Sequence, residues 1–285
     1  MEQTKTVSFK PDTTPFLSRF RRRRDEKRSI LSIGLDPALP EQRSADTIPE
    51  SFVNPDENKT RLDFCIGVIE QTSDYCCAYK VNQQYTIGLS SDDHRMLAKR
   101  IQEAGCISIL DYKLNDIPST VDSALFHISR QGYDALTFNP FLGNLANTVK
   151  TSRSLPNPLG VIVLALPSNP ESSKFVKAAG LKGSPLYRVI AQEVKSCGAE
   201  GCVVSAADYV TESDVVAIRK IVGRQTLFLV VGVGAQLGNP RKVVRASGEN
   251  TLVNVGRRII YTHDPKAQAR TYNTSFNQLL GRQVG

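Results

Sequence analysis

No run of about 18 uninterrupted apolar residues occurs in this chain, which argues against a transmembrane helix. The opening Met1-Glu2-Gln3-Thr4-Lys5 lacks the apolar core of a secretory signal, so a cytoplasmic location is expected. Cys-x-x-Cys pairs are missing as well. The six cysteines (Cys65, Cys76, Cys77, Cys106, Cys197 and Cys202) sit mostly in apolar surroundings such as Cys76-Cys77-Ala78, as free buried thiols of a reducing compartment do. The three histidines, His94, His127 and His263, are too scattered for metal-ligand spacing, and no metal site is expected. No Gly/Ser-rich linker or abrupt shift of composition divides the chain. One domain over residues 30–285 is therefore expected, behind a helical N-terminal extension at residues 1–29.

What is present is ordinary globular composition: 285 residues, 40% hydrophobic and 22% charged, enough for one large core. The net charge of +8 is unevenly placed. Between Arg19 and Arg28 seven basic residues face only Asp25 and Glu26, a local +5. A nucleic-acid surface calls for basic residues spread over a face with interleaved aromatics. The run therefore reads as a solvated helix face, with RNA binding through Arg21–Arg24 as the alternative.

Short runs rich in Val, Ile and Leu recur at Ile30–Asp36, Tyr75–Lys80, Cys106–Asp111, Asp134–Phe138, Gly160–Leu166, Glu200–Val204, Leu227–Val231 and Thr251–Gly256. They do not alternate strictly, as befits parallel strands covered on both faces. Helical spacing falls between them at Asn58–Thr72, His94–Ala104, Ile117–Arg130, Leu186–Cys197, Ser213–Val222 and Ala267–Leu280. This alternation predicts an α/β fold, a closed (β/α)8 TIM barrel, with an open doubly wound sheet as the runner-up. Two long irregular stretches, Pro37–Pro55 and Ser168–Ser184, read as lids or binding segments.

In such a barrel, reactive side chains belong at the C-terminal ends of the strands. Here those ends include Asp36, Lys80, Asp111-Tyr112-Lys113, Asn139, Ser168, Gly232-Val233-Gly234-Ala235-Gln236 and Gly256-Arg257-Arg258. Charged groups converging on one rim point to an anionic ligand. Asp111 and Lys113 are two apart, so an extended backbone turns both to the same side. A plainer reading makes this stretch a polar loop, with Asp116 capping a helix and Pro118 in its first turn. That accounts for Asp116 but not for Lys113 or a facing Lys80. Gly232, Gly234 and Gln236 can bring backbone N–H groups close to an anion, and Arg257 can grip a phosphate with its planar fork.

The run D-x-K-x-x-D-I-x-x-T, present as Asp111, Lys113, Asp116, Ile117 and Thr120, resembles the signature of the orotidine 5′-phosphate decarboxylases. Further pieces follow in that family's order: Gly34-Leu35-Asp36-Pro37, Lys80, Asn139-Pro140-Phe141-Leu142-Gly143, Ser168-Asn169-Pro170, the glycine loop and Gly256-Arg257-Arg258-Ile259. The similarity runs from about Phe16 to Tyr261 and looks most like the divergent prokaryotic branch.

The resemblance implies cofactor-free loss of CO2 from C6 of orotidine 5′-phosphate, giving UMP in de novo pyrimidine biosynthesis. Lys80, Asp111, Lys113 and Asp116 would form an alternating array of charges. Lys113 would protonate C6, Asp111 would face the departing carboxylate, and Lys80 would stay protonated and orient. Asp36 would accept from a ribose hydroxyl, Ser168 would touch the pyrimidine, and Asn139 would join the substrate-binding set. Gly234, Gln236 and Arg257 would hold phosphate. Asp116 and Thr120 would reach a neighbouring subunit's site, implying a homodimer with shared sites.

Three departures stand out: Val231 where many relatives have proline, Pro167 where threonine is usual, and Val81–Tyr85 without the aromatic-glutamate pair. The rival enzyme reading is a metal-dependent sugar-phosphate decarboxylase or aldolase of the same superfamily, which shares D-x-K-x-x-D. Those relatives carry glutamate where Lys80 stands.

Overall fold

Apolar runs of five or so residues with no polar face are stable as strands only where neighbours cover both sides, and this dictates the architecture. The computed structural model describes residues 14–181, 183–233 and 240–282. Eight strands are parallel and close on themselves: β1 (Leu31–Leu35), β2 (Ala78–Asn82), β3 (Ile107–Leu114), β4 (Ala135–Phe138), β5 (Gly160–Leu166), β8 (Gly201–Ser205), β9 (Leu227–Val231) and β10 (Thr251–Val255). Their order around the barrel is β1-β10-β9-β8-β5-β4-β3-β2. The remaining pair, β6 (Gly180–Leu181) and β7 (Ser184–Pro185), is an antiparallel hairpin outside the barrel. Closure excludes the open doubly wound sheet.

Among the described residues eleven helices accompany the strands: α1 (Phe16–Glu26), α2 (Glu57–Thr72), α3 (Gln83–Thr86), α4 (Ser91–Glu103), α5 (Pro118–Gln131), α6 (Leu145–Ser154), α7 (Leu186–Cys197), α8 (Glu212–Val222), α9 (Pro240–Ser247), α10 (Arg257–Ile260) and α11 (Pro265–Leu279). None among the described residues is long and apolar enough to cross a membrane. Helices α6 and α9 fall after β4 and β9, where the alternation of strand and helix expects them. The buried face of α6 is Leu145, Thr148, Val149 and Ser152. Helix α9 spans only eight residues. The long stretches at Pro37–Pro55 and Ser168–Ser184 contain short turns, Pro40–Gln42, Glu50–Phe52, Pro170–Ser172 and Lys174–Ala178. Strands β2 and β3 run past Lys80 and Asp111 to Asn82 and Leu114, beyond the predicted ends. Charges do not stop these strands because they meet each other inside the barrel.

Two cores result. One lies between strands and helices; the other fills the barrel with Ala78, Ile109, Ala135, Ile162, Leu229 and Leu252. Phe16 and Phe20 of α1 belong to this inner core, so α1 closes the barrel at the N-terminal ends of its strands. A side chain at Gly160 would put its Cβ 2.5 Å from the Phe16 ring, and only glycine admits that approach.

The arginine run is therefore only partly a solvated face: Arg22 and Arg28 are exposed. Arg19 and Arg24 are buried. Arg19 Nε lies 3.1 Å from Asp134 Oδ1. Arg24 donates to the Glu249 carbonyl at 3.1 Å, and Arg21 donates to Gln225 Oε1 at 2.6 Å. Arg23 pairs with Glu26 at 2.8 Å. The run fastens α1 across the loops that enter the strands.

Arg19→Ala leaves the buried Asp134 carboxylate without its cation. A loss of about 3 kcal/mol in unfolding free energy is expected, read from urea denaturation. A change below about 0.5 kcal/mol would show that α1 is held by its phenylalanines alone.

Candidate active site

The central group is the buried carboxylate of Asp111, inside the barrel near the C-terminal end of β3. Lys80 Nζ from the adjacent β2 donates to Asp111 Oδ2 at 2.5 Å. Lys113 Nζ donates to Oδ1 at 2.9 Å, and Thr137 Oγ1 of β4 donates to the same oxygen at 2.8 Å. Burial alone pushes the Asp111 carboxyl up, but the ammonium groups of Lys80 and Lys113 outweigh it and hold the pKa far below the usual range. Burial likewise favours the neutral amine of Lys80. The carboxylates of Asp111 and Asp36 reverse this and raise its pKa, so the ammonium persists.

Lys113 reaches the site by a route that an extended strand does not provide. Its φ is +53°, in the left-handed region. Between Leu110 and Leu114 strand β3 advances four residues while β4 advances only from Leu136 to Phe138. Extra β3 residues are thrown out as a bulge, and the expected extended geometry of Asp111-Tyr112-Lys113 is corrected accordingly. A left-handed backbone at a residue with a Cβ costs about 1–2 kcal/mol. The Lys113 N–H is held there by Thr137 Oγ1 at 2.9 Å. The two lysines differ sharply: the Lys80 side chain is 6% exposed and that of Lys113 48%.

These groups line a cavity of about 380 Å³, within the usual range for a small-ligand site. Its wall also carries Asp36, Asn82, Ser168, Asn254, Gly232 and Arg257. Asp36 Oδ1 accepts from Asn82 Nδ2 at 2.9 Å, and its carbonyl accepts from the Tyr261 hydroxyl at 2.6 Å. Gly232, with φ +80°, turns the chain where β9 ends. A Cβ on Gly256 would come within 3.3 Å of Asp36 Oδ2, so glycine there keeps the wall open. Arg257 borders the cavity, whereas Arg258 is exposed and does not. Gly234 and Gln236 lie outside the described residues.

A larger cavity of about 470 Å³ lies at the opposite end of the barrel, beside Arg19, Arg95, Arg130 and Asp134. Its buried ion pair fastens α1, and Arg95 pairs with Asp92 at 2.5 Å. Among the described residues lining it, no carboxylate is shared between two ammonium groups as Asp111 is in the smaller cavity.

Three expected site residues are not brought into the wall. Asp116 is no helix cap: the cap position is Ile117, Pro118 opens α5, and Asp116 Oδ1 accepts from the Ile117 N–H at 2.7 Å. Thr120 is exposed on α5. Asn139 accepts from the Phe141 N–H at 3.2 Å and so caps the turn Pro140–Leu142. Conversely, Asn82, Thr137 and Asn254 were not foreseen. The signal was available for two of them, since Asn82 lies two beyond Lys80 and Asn254 two before Gly256 on strands of period two.

A family model described as orotidine 5′-phosphate decarboxylase / HUMPS family matches residues 32–272. An orotidine 5′-phosphate decarboxylase from Cupriavidus necator is 31% identical over 269 residues, covering 89% of this chain and 93% of that protein. One from Herpetosiphon aurantiacus is 30% identical over 256 residues, covering 86% and 89%. The crystal structure of Plasmodium berghei orotidine 5′-monophosphate decarboxylase superposes with a TM-score of 0.76 at 20% identity, covering 93% of this chain and 98% of that one. At that identity the superposition speaks to the fold alone.

The two buried charges set a pH window. Asp111 is depressed in the folded state, so its pairing stabilises above the unfolded value of about 3.9 and is lost as pH falls toward the folded pKa. Lys80 is raised, so its pairing stabilises below about 10.4 and is lost as pH rises through the folded pKa. Thermal midpoints are expected to stay level between about pH 5 and 10 and to fall on either side. In Asp111→Asn the whole curve drops and the acid limb flattens; an acid limb as steep as wild type's would place that titration elsewhere.

Proposed function

Because this chain belongs to the orotidine 5′-phosphate decarboxylase / HUMPS family, we propose that it removes CO2 from C6 of orotidine 5′-phosphate to give UMP, using side chains alone. The carrying observation is the Lys80–Asp111–Lys113 chain of charges lining the cavity. In the reaction the C6–carboxylate bond breaks, CO2 leaves and the electron pair stays on C6. An sp2 carbanion has little delocalisation to help it, so a fixed positive charge must. An ammonium about 4 Å away is worth roughly 4 kcal/mol at an effective dielectric near 20. Lys113 supplies that charge and then gives one N–H proton to C6, completing UMP. Its exposure lets solvent restore the proton. Asp111 faces the departing carboxylate and aims Lys113, while Lys80 keeps Asp111 ionised.

A protonated lysine cannot ligate a divalent cation, so Lys80 favours this reading over the metal-dependent reactions of the same superfamily. Asp36, steadied by Asn82, takes a ribose hydroxyl, and Ser168 meets the base. Arg257 and the backbone at Gly232, with Gly234 and Gln236 further along the sequence, take the phosphate. Binding energy gathered at the phosphate, remote from C6, is available to the transition state.

The active unit in this proposal is a homodimer with shared sites. Exposed Ile87, Ile117, Phe141 and Leu142 sit on the segments that follow β2, β3 and β4, and Asp116 and Thr120 lie on the one after β3. Burying that apolar surface against a second copy carries Asp116 and Thr120 to the neighbour's cavity. A cytoplasmic location fits the free cysteines.

Purified protein mixed with orotidine 5′-phosphate and excess chelator is expected to consume the orotidylate absorbance at the untreated rate. Lys113→Ala should abolish turnover while retaining UMP binding, and Arg257→Ala should lose about 2–4 kcal/mol of transition-state stabilisation in kcat/KM. Chelator-sensitive turnover, or near-normal rates in Lys113→Ala, defeats the assignment. Ile117→Glu should shift sedimentation from dimer to monomer and lower activity with it; a wild-type monomer of full activity removes the shared-site reading.

A further inference from the structure

Beyond β5 the chain leaves the barrel through Pro167, Ser168 and Asn169, all in the cavity wall, and returns at α7. This excursion has little apolar hold on the molecule. Phe175 and Leu181 are exposed, and among its described residues only Val176 is buried. Its position must come from polar ties, and these converge on the loop between β8 and α8. The Tyr209 hydroxyl donates to the Pro167 carbonyl, and Ser172 Oγ lies 3.0 Å from the same phenolic oxygen. Lys177 Nζ donates to the Tyr209 carbonyl at 2.8 Å and to Asp214 Oδ2 at 2.7 Å. Asp214 is itself fixed in the capping box that opens α8, accepting from the Thr211 N–H at 2.9 Å, and it accepts from the Tyr187 hydroxyl at 3.0 Å. The loop is thus a rigid post to which the excursion is tied at two points.

We infer that Tyr209 is a positioning residue for base recognition, acting through the Pro167 carbonyl on Ser168. This rests on the decarboxylase reading for the identity of the base. The peptide unit joining Pro167 to Ser168 is planar, so holding the Pro167 oxygen fixes the direction of the Ser168 N–H and the position of the Ser168 Cα that carries the side chain. On the other side, the proline ring fixes φ at residue 167. The proline that departs from the family pattern and the tyrosine therefore work as one clamp. Tyr209 does not line the cavity, and burial pushes its phenol upward, so the hydroxyl proton is present at neutral pH.

Tyr209→Phe keeps the ring and removes only the donor. The expected result is a fall of about tenfold in kcat/KM, carried mostly by KM, with the melting temperature within about 2 °C of wild type. UMP binding, measured by calorimetry, should weaken about tenfold, whereas ribose 5-phosphate, which has no base, should change by less than about twofold. Ser168→Ala should give the same pattern, and adding Tyr209→Phe to it should cost less than about a further twofold. Equal losses for UMP and ribose 5-phosphate, full additivity with Ser168→Ala, or unchanged UMP binding would each overturn the inference. Lys177→Met loosens the post from its other tie and is read the same way should Tyr209→Phe fold poorly. The binding measurements need no turnover. Wild-type protein that binds UMP but leaves orotidine 5′-phosphate intact would count against the decarboxylase reading and not against the clamp.

Discussion

A carboxylate taken out of water inside a barrel is tolerable only if cations and donors replace the solvent, and this condition on Asp111 organises the whole C-terminal mouth. Lys80 must come from the next strand, Thr137 from the strand on the other side, and Lys113 from the same strand two residues on. Parallel pairing of β2, β3 and β4 delivers the first two as a matter of register: Lys80 is paired with Ile109, and Leu136 with Leu110. The third needs the bulge. Once these donors are in place the carboxylate stays ionised, and the site holds its charge before any substrate arrives. Preorganisation of this kind avoids reorganising dipoles during the reaction.

The other end of the barrel serves the first. Phe16 and Phe20 fill the space beneath the inner layer of aliphatic side chains, and the arginines of α1 satisfy carbonyls and side chains of the strand-entry loops. With the floor packed, the polar groups of the mouth rest on a dry apolar layer that includes Leu164, Val203 and Leu229, which also line the cavity. Low polarity beneath the charges strengthens every interaction above them.

Much of this was legible in the residues. The alternation of Val/Ile/Leu runs with helical spacing is a consequence of packing, and it predicted eight strands and the barrel. Lys80, Asp111, Lys113, Asp36, Ser168 and Arg257 were marked because charge or polarity follows directly on apolar runs, and the structure brings them around one cavity. What escaped the reading depends on three dimensions. The positive φ of Lys113 has no signature in a residue type that ordinarily avoids it. Thr137 looks like any strand threonine until β3 bulges toward it. The arginine run reads as surface because a guanidinium's burial depends on distant carbonyls, such as Glu249's, that no local pattern reveals. Asp116, Thr120 and Asn139 were named from the motif, and they are not among the residues that line the cavity.

The left-handed backbone at residue 113 has one more consequence. The residue best suited to that conformation is glycine, which has no amine, so local comfort and chemistry are opposed at a single position. Selection for a tougher barrel and selection for a faster enzyme therefore pull in different directions there. If Lys113 is the proton donor proposed above, its backbone marks a place where the fold gives up stability for reactivity.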